Sequence, residues 1–420
     1  MPKVDQNVTR RRGVGTRALD EDLALPGYTL IAPLTAKTVY LIDNHGTEVG
    51  STPLGFTVSY INGIIRLFIF LIRKGSGVGR HARLLNNGNL VVNCKDPEAK
   101  APFPFFNKYG GGIYLEMTPK GEIVRDFRDP LGHHDCYQYG NGRYLYTSLT
   151  ALSESAAQAL PGGVAGTEAP EGKVYSDTIV EMIDGQKTWE WKAAERLDPL
   201  IFPLQKHYVE LIDFSSPLED GNILASFRSV SAVIIIEKST GNVIWHLDST
   251  VVAQQHNATE LPNGNILLFD NGAFREGISW QYSRPIEVAR ATKKIVWEWT
   301  ATPKETVYTP FMGSAVRLPN GIFGPPLASQ RLSKPQLGNT LLCEAAFGRI
   351  IEITKEGEIC WEYVREYLLR RIGIFLRILQ VTPYFAAYPE VEARKMFPME
   401  SNALFRAYKY AAEEIPWLHS

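Results

Sequence analysis

The sequence repeats one supersecondary unit, a pair of apolar strands joined by a short charged turn, and in most copies an aromatic residue closes the second strand. The unit occurs six times, and six of the eight tryptophans belong to it. The copies are YLIDNHGTEV (40–49), YLEMTPKGEIVRDF (114–127), IVEMIDGQKTWEW (179–191), IIIEKSTGNVIWHL (234–247), IEVARATKKIVWEW (286–299) and IIEITKEGEICWEY (350–363). Such repetition restricts the chain to architectures in which neighbouring units bury each other's apolar faces.

A second pattern, a strand followed by an Asn-Gly or Asp-Gly turn and an apolar strand, precedes five of the copies. It reads LLNNGNLVV, YQYGNGRYLY, LEDGNILAS, LPNGNILLF, and LPNG resumed by GNTLLCE. Such turns between alternating apolar residues are strong signals for a β-hairpin. Two hairpins per unit make a four-stranded sheet, and most units recur at roughly 50 to 65 residues. We therefore predict an all-β fold, a six-bladed β-propeller of four-stranded antiparallel blades.

The ends of the chain set the predicted domain boundaries. Residues 1–27 are predicted to be a flexible N-terminal tail and residues 28–367 the propeller, whose last blade combines N-terminal strands with whatever the C-terminus supplies. Residues 368–420 are predicted to form a short helical C-terminal extension, because apolar residues in it have helical spacing. These residues are Leu404, Phe405, Tyr408 and Ala411.

Three segments of about 16 residues interrupt the repeat, at 58–73, 322–337 and 368–383. One interpretation is loop insertion, which propeller loops tolerate. The alternative is translated intervening sequence, because the lengths match and each segment disrupts the local pattern. The first is the most apolar run of the chain, but Arg66 interrupts it, and its unbroken parts are shorter than the ~20 residues that span a bilayer. We predict no membrane association.

Composition and the N-terminal sequence limit the expected binding partners and the cellular location. Lys and Arg number 44 and Asp and Glu 45, a net charge of -1, which predicts no nucleic-acid partner. The four cysteines form no CxxC pair, so a zinc ribbon or a thioredoxin-type site is not expected. The N-terminus lacks the apolar stretch of a signal peptide, which predicts a cytoplasmic protein. The sequence leaves the oligomeric state open.

Histidines occupy a shared register in successive units. His81, His134 and His256 lie seven or eight residues before the turn glycines of their hairpins. His207 reaches the same position if the residues SSPLED lengthen its turn. Equivalent positions on the innermost strands of a propeller converge on the central channel, so we predict that these imidazoles meet there. The alternative is that they are core histidines with satisfied hydrogen bonds, as most lone histidines are.

Arg228 and Asn271 each lie seven residues after the turn glycine of their hairpin, which returns them to the end where His207 and His256 begin. A cluster rich in donors and poor in carboxylates suits an anionic group such as sulfate, phosphate or carboxylate. Metal binding is the competing interpretation, since histidine is the commonest metal ligand. A fixed guanidinium beside a metal cation is unfavourable, so we predict no metal and no cofactor.

The segments GHHDCYQYGNGRYLY, HYVELIDFSSPLEDGNILASFRS and QQHNATELPNGNILLFDNG resemble the blade motifs of the PAPS-independent bacterial arylsulfotransferases. The resemblance covers roughly 28–363 in pattern and is most specific over 207–272. It implies a six-bladed propeller that moves a sulfuryl group from a phenolic sulfate ester to a phenolic acceptor. The implied partners are therefore a small aromatic donor and a small aromatic acceptor.

The same resemblance implies catalytic roles. The nucleophile would be His256, within a Gln-His pair, and the sulfate would be bound by His134, His207 and Arg228; His133 is adjacent, but the spacing favours His134. A neutral His256 can attack sulfur and form a sulfo-histidine. His134 or His207 can protonate the leaving phenolate and deprotonate the acceptor. The predicted substrate-binding residues are Asn271, Tyr208, Tyr137 and His81, and Trp280 is a further candidate for stacking on a phenol ring.

Two other hypotheses remain open. One is a relative that uses the same His and Arg channel on another aromatic or anionic substrate in specialised metabolism. The other is a non-catalytic propeller that serves as a binding scaffold, which predicts a channel plugged by apolar side chains. The arylsulfotransferase-like enzyme predicts a polar channel in which the histidines and the arginine lie close together.

Overall fold

A computed structural model of the protein describes residues 2–8, 11, 13–34, 38–53, 57–61, 64–68, 81–96, 98–102, 106, 111–140, 142–161, 169, 172–198, 201–202, 212–318, 338–365 and 403–418. Six antiparallel sheets dominate these residues. Five of them contain two pairs of consecutive strands side by side, and the sixth joins one strand near the C-terminus to three strands near the N-terminus. The sheets are the six blades of a β-propeller, as the repeat predicts, and we number them by their order along the chain.

Each blade contributes one strand to each of four concentric layers. The innermost strands are β27 (Leu404–Tyr410), β7 (His81–Leu84), β11 (His133–Gly140), β15 (Ile212–Pro217), β19 (His256–Glu260) and β23 (Ser314–Arg317). The second strands are β2 (Tyr28–Pro33), β8 (Leu90–Lys95), β12 (Arg143–Ala151), β16 (Ile223–Phe227), β20 (Ile266–Asp270) and β24 (Thr340–Glu344). The third strands are β3 (Thr38–Ile42), β9 (Gly112–Met117), β13 (Tyr175–Ile183), β17 (Ala232–Ile236), β21 (Arg284–Val288) and β25 (Arg349–Ile353). The outermost strands are β4 (Glu48–Pro53), β10 (Ile123–Arg128), β14 (Gln186–Lys192), β18 (Val243–Leu247), β22 (Ile295–Glu298) and β26 (Ile359–Val364).

The remaining elements decorate this ring. They are β1 (Gly15–Leu19), the hairpin of β5 (Thr57–Ile61) and β6 (Ile64–Phe68), two short helices, α1 (Glu154–Ala159) and α2 (Ala193–Arg196), and 3-10 turns at Lys304–Thr306, Ala345–Phe347, Ala412–Glu414 and Pro416–Leu418. None of the described helices is long and apolar enough to cross a membrane.

The innermost strands define the channel. Each of them contacts the innermost strands of the blades on both sides, so the six form a closed ring. The apolar core is divided among the seams between blades: Leu224 and Val233 of blade 4, for example, share one buried cluster with Leu268 and Ile286 of blade 5. A propeller therefore buries its apolar faces between sheets and leaves the axis for other side chains.

The Asn-Gly turns of blades 2 and 5 form as predicted. In blade 5 the amide of Leu261 donates to the Asn265 carbonyl and the amide of Gly264 donates to the Leu261 carbonyl, both at 2.8 Å. Gly264 has φ +80, a conformation that costs glycine little and most other residues more. This local chemistry fixes the register of the inner hairpin and thereby the position of its first residue, His256.

The repeated tryptophans join neighbouring blades. In four seams the indole N–H of a tryptophan in, or directly after, an outermost strand donates to a carbonyl in the outer turn of the next blade. The pairs are Trp191 to Gly241 (2.9 Å), Trp245 to Arg290 (2.8 Å), Trp299 to Gly357 (2.9 Å) and Trp361 to Asn44 (2.7 Å). The repeat therefore encodes contacts between blades as well as the blades themselves.

The two other seams are filled differently. Between blades 2 and 3, Phe127 stacks on Tyr114 at 4.4 Å and packs against Tyr144 and Tyr146. Between blades 1 and 2, the ring of Trp417 lies so close to both sheets that a Cβ added to Gly50 or Gly88 would meet it at 3.1 or 3.0 Å. A tryptophan from the C-terminus thus fills the seam whose repeat copy, EVGST, lacks one.

The helical prediction for the C-terminus is wrong for Leu404–Tyr410, which forms β27, the innermost strand of blade 1. This strand pairs with β2 and closes the ring, so blade 1 combines strands from both ends of the chain. Because an innermost strand is buried on both faces, it lacks the alternation that distinguishes a strand from a helix in the sequence. Residues 366–402 lie outside the described residues.

The prediction of a flexible tail is wrong for Gly15–Leu19, which pairs with β26 as a fifth strand of blade 6. Val4 and Val8, which precede this strand in the chain, are also buried. An exposed outer edge offers unpaired backbone groups, and β1 satisfies those of β26.

Two predicted insertions can be located. Part of 58–73 lies in the hairpin β5–β6, which is separate from the blades, and 69–80 lie outside the described residues. The segment 322–337 also lies outside them. Its flanks are closed, because the Leu318 amide donates to the Asn339 carbonyl at 2.8 Å, the same bond that Leu261 makes to Asn265. The inner hairpin of blade 6 therefore keeps its closing hydrogen bond between 318 and 339.

Candidate active site

Side chains from several blades meet where the innermost strands begin. His256, the first residue of β19, accepts a hydrogen bond at Nε2 from the Met312 amide at 3.0 Å. The next amide, of Gly313, donates to the Phe405 carbonyl of β27 at 3.2 Å. The Phe405 ring lies 5.7 Å from the ring of His134 in blade 3. Residues of blades 3, 5 and 1 and the approach to blade 6 therefore form one continuous cluster at this end of the channel.

Asn271 fixes the tautomer of His256. Its Nδ2 donates to the carbonyls of Thr309 and Met312 at 2.8 and 2.7 Å, which turns its Oδ1 towards the imidazole. This oxygen lies 2.7 Å from His256 Nδ1, so Nδ1 carries the proton and Nε2 carries the lone pair. Asn271 is predicted from the sequence to bind substrate; in the structure both polar atoms of its side chain hold His256 and the 309–312 segment.

His256 is neutral. Its side chain is 2% exposed, and burial together with the positive charges of Arg228 and Arg406 lowers its pKa to about 3. The hydrogen bond to Asn271 opposes this shift but does not outweigh it. A buried imidazole beside cations loses its proton first, and the neutral form is the nucleophilic one.

The arginine that sequence analysis missed crosses the channel. Arg406 lies on β27 in blade 1, and its Nη1 is 2.8 Å from Oδ1 of Asp135, which lies on β11 in blade 3. Both side chains are buried. The second carboxylate oxygen of Asp135 accepts from the Ser215 amide of blade 4 at 3.2 Å. An ion pair thus connects blades that are not neighbours, and the described centre of the channel is polar.

His133, rather than His134, holds the position equivalent to His256. His133 pairs with Thr147, His256 with Phe269 and His81 with Asn93, and each partner is the fifth residue after the turn glycine. Counting back from the glycine fails in blade 3 because β11 contains register shifts on both sides of 136–138.

The hydroxyl of Thr147 bonds two backbone groups of the bulge that contains His134. Oγ1 of Thr147 accepts from the Asp135 amide at 3.2 Å and donates to the His133 carbonyl. His134 has φ +43, and Asn257, which follows His256, has φ +54. A left-handed backbone conformation changes the direction in which a side chain points, and bulges beside functional sites commonly have this effect.

Arg228 and Gln255 tie blade 4 to this cluster. Arg228 follows β16 and donates through Nη2 to the Pro310 carbonyl at 3.3 Å, beside the segment that carries Met312. Gln255, the first residue of the Gln-His pair, donates through Nε2 to Ala232 O at 2.8 Å and to Ser226 Oγ at 3.1 Å. Gln255 thus anchors β19 to the neighbouring blade and leaves His256 to face the channel.

Tyr137 lies apart from the histidines. Its ring is covered by the guanidinium of Arg83 at 4.8 Å and meets Tyr139 edge-on at 5.5 Å. The Tyr410 hydroxyl accepts from the Leu84 amide, next to Arg83, at 3.1 Å, and the rings of Tyr408 and Tyr410 lie 6.5 Å apart, so these groups form a second aromatic cluster. The other predicted residues lie beyond what can be described: His207 and Tyr208 fall in 203–211, and only the backbone of His81 is described.

Two exposed aromatic residues lie at the mouth nearest His256. Phe274 and Trp280 are 83% and 78% exposed, in the loop that begins directly after Asn271. Gln281 holds this loop, accepting from the Arg275 amide at 3.2 Å and donating to the Arg275 and Ile278 carbonyls. Among the described residues, no group of three or more His, Cys, Asp or Glu is placed to hold a metal ion.

Comparison with known proteins adds no functional assignment. No protein-family model matches the sequence, and no curated protein matches it. A protein of unknown function from Bacteroides caccae is similar in structure, with a TM-score of 0.45 and 13% identity over 81% of this chain and 94% of the other. A streptogramin B lyase gives 0.39 and 12% over 84% and 88%, and a virginiamycin B lyase from Staphylococcus aureus gives 0.38 and 11% over 89% of each chain. Similarity at this level carries no argument about function, and the fold assignment stands on the strand topology.

Proposed function

We propose that the protein is an enzyme that transfers a sulfuryl group from a phenolic sulfate ester to a phenolic acceptor, with His256 as the nucleophile. The observation that carries this proposal is the state of His256, a neutral imidazole with its proton fixed on Nδ1, close enough to two guanidinium groups for their charge to depress its pKa. A neutral nucleophile beside fixed positive charge is what attack on an anionic ester requires.

The proposed reaction has two steps. Nε2 of His256 attacks sulfur, an N–S bond forms, and the S–O bond to the donor ring breaks as the leaving oxygen takes a proton from a general acid. The acceptor phenol then gives its proton to the same group, its oxygen attacks sulfur, and the N–S bond breaks. Arg228 and Arg406 stabilise the charge on the sulfuryl oxygens during both steps.

Asn271 and Met312 control the nucleophile. When Nε2 bonds to sulfur the imidazole becomes positive, and the Nδ1 proton remains held by Asn271. In the structure the Met312 amide donates to Nε2, so this amide must move before attack. Met312 and Gly313 have φ +60 and +112, and this backbone is where we expect the movement.

The surroundings of the cluster fit an aromatic substrate. Phe274 and Trp280 present exposed rings on a loop that begins after Asn271 and returns to it, since the Ser283 hydroxyl donates to the Asn271 carbonyl at 2.8 Å. Aromatic side chains stack on phenol rings, so these residues are proposed to bind the donor or the acceptor. The scaffold hypothesis predicts a channel plugged by apolar side chains. The polar centre of the channel therefore favours an enzyme.

The test is turnover of p-nitrophenyl sulfate with a phenol acceptor by the parent protein, His256→Ala and His45→Ala. His45 lies on an outer turn, 66% exposed, and serves as the matched control. We expect the control to keep parental activity and His256→Ala to lose about 10³-fold or more. Equal rates for all three would exclude His256 as the nucleophile.

A second candidate function is transfer of another anionic group, because guanidinium groups bind phosphate as well as sulfate. Running p-nitrophenyl phosphate in parallel distinguishes the two. Turnover of the phosphate alone would favour this candidate, and turnover of neither by a folded protein would favour the scaffold.

A further inference from the structure

A chain of buried polar side chains leads from the interior of blade 3 to the channel. Asp177, on β13, lies with Oδ1 2.9 Å from Nε2 of His133, and Nδ1 of His133 lies 2.9 Å from Nδ1 of His134. Asp177 and His133 are fully buried, and His134 is 7% exposed. At the channel end, the ring of His134 packs against Phe405 of β27.

The neighbours of His133 determine where its proton sits. Nε2 is within reach of two acceptors, the Ser148 carbonyl at 3.1 Å and the Asp177 carboxylate, so Nε2 carries a proton. The N–H has hydrogen-bond geometry towards Ser148, and Asp177 contributes chiefly its charge. In a neutral His133, Nδ1 is then an acceptor, and His134 must donate to it from its own Nδ1. His134 therefore keeps its lone pair on Nε2, the nitrogen opposite the pair.

We propose that Asp177 and His133 are positioning residues of a proton relay that ends at His134, which supplies the general acid and base for the proposed group transfer. This inference rests on the proposed function for its chemistry and on the His133–His134 contact for its geometry. The acceptor hydroxyl gives its proton to Nε2 of His134. The Nδ1 proton of His134 passes to Nδ1 of His133, and the positive charge comes to lie beside Asp177.

The reverse movement serves the other step. The first step starts from the charged relay, which has taken one proton from solvent and then carries protons on both nitrogens of His133 and on Nε2 of His134. The Nε2 proton leaves for the departing phenolate oxygen, and the proton on Nδ1 of His133 returns to Nδ1 of His134. No proton is gained or lost over the two steps. The proton that moves between the two rings follows the 2.9 Å contact between their Nδ1 atoms. The covalent changes at sulfur are those of the two steps already described.

The relay places the positive charge of a protonated histidine away from the positive charges of Arg228 and Arg406. Arg228 and Arg406 disfavour a second cation near His256, as the depressed pKa of that histidine records. Asp177 attracts a cation on His133 instead, away from the two arginines. Other charged groups around the relay are Asp135, which is paired with Arg406, and Asp129, whose Oδ2 accepts from the Ser148 hydroxyl at 2.7 Å.

The first test needs no turnover. We would label the histidines with ¹⁵N and record their ring nitrogen shifts in the parent protein at neutral pH, assigning signals by His133→Gln and His134→Gln. We expect protonated nitrogens at His133 Nε2 and His134 Nδ1 and an unprotonated nitrogen at His134 Nε2. An unprotonated His133 Nε2, or a protonated His134 Nε2 without a proton on His133 Nδ1, would overturn the relay.

The second test is Asp177→Asn, which keeps the shape and removes the charge. Glu181→Gln, on the same strand but paired with Arg143 and Lys238 outside the channel, controls for lost stability. With p-nitrophenyl sulfate we expect Asp177→Asn to lower kcat about 10²-fold with little change in KM and to shift the pH profile. A profile and kcat equal to those of Glu181→Gln would reject the role of Asp177.

The two proposals can fail separately. If the parent protein turns over no sulfate ester but shows the expected nitrogen shifts, the sulfuryl-transfer proposal fails and the relay geometry stands. If it turns over substrate and the shifts or the Asp177→Asn profile contradict the relay, the general acid must be sought elsewhere.

Discussion

His256 in blade 5 and His133 in blade 3 pair at the same position of their inner hairpins, yet their surroundings carry opposite charge. His256 faces an amide and the positive charges of Arg228 and Arg406, whereas His133 lies 2.9 Å from a carboxylate. One register position therefore holds an imidazole beside positive charge in one blade and an imidazole beside a carboxylate in another. The protonation state of each histidine depends on the groups that neighbouring strands place around its ring.

Removing Arg406 should have the largest effect. Arg406→Met leaves Asp135 buried without its partner, which we expect to cost about 3–5 kcal/mol of unfolding free energy. It also removes one cation from His256, so the pKa of His256 should rise. Urea unfolding measures the first effect, with Lys187→Met, which breaks an exposed ion pair with Glu190, as the control. A loss no larger than the control's would argue against an ion pair across the channel.

Asn271→Asp should make the surroundings of His256 resemble those of His133. A carboxylate cannot donate to the Thr309 and Met312 carbonyls, so we expect a loss of about 2–3 kcal/mol, while its charge raises the pKa of His256. An NMR titration of the imidazole reports the pKa. The exposed turn residue Asn242 gives the control, Asn242→Asp. An unchanged pKa for His256 would mean that Asn271 does not contact it.

The depressed pKa of His256 predicts acid sensitivity. The unfolded chain binds a proton at this histidine below about pH 6.5 and the folded protein only near pH 3, so stability falls as the pH drops between these values. At pH 5 we expect this residue to account for a loss of about 2 kcal/mol relative to pH 8. His256→Asn should lose less stability between these pH values. Equal losses would contradict a neutral His256.

The smallest effect is expected from shortening blade 6. Deleting 322–338 leaves LPNG followed directly by NTLLCE, which matches LPNGNILLF of blade 5. Because Leu318 and Asn339 already make the hydrogen bond that closes the hairpin, stability should change by about 1 kcal/mol or less. Both histidine environments should be retained, which thermal melting and the imidazole NMR signals of His133 and His256 would show. Loss of the folded state would contradict a simple turn insertion.

Much of the fold was accessible from the sequence because its signals are local. The turn at Gly264 needs only its own few residues, and the tryptophan at 299 belongs to a strand that recurs with the same neighbours in other copies. The same locality placed His256, Asn271 and Arg228 at one end of their hairpins. What failed was counting across a bulge, since the register shift around His133 depends on how Thr147 bonds the backbone.

The sequence by itself determined six blades and their hairpin turns, because each of these depends on residues close together in the chain. Only the tertiary structure decided that β27 completes blade 1, that Trp417 fills the seam lacking a repeat tryptophan, and that Arg406 meets Asp135. Those contacts join residues hundreds of positions apart, and ring closure is what brings them together. A local sequence pattern does not show which distant charged residue will lie beside a given side chain.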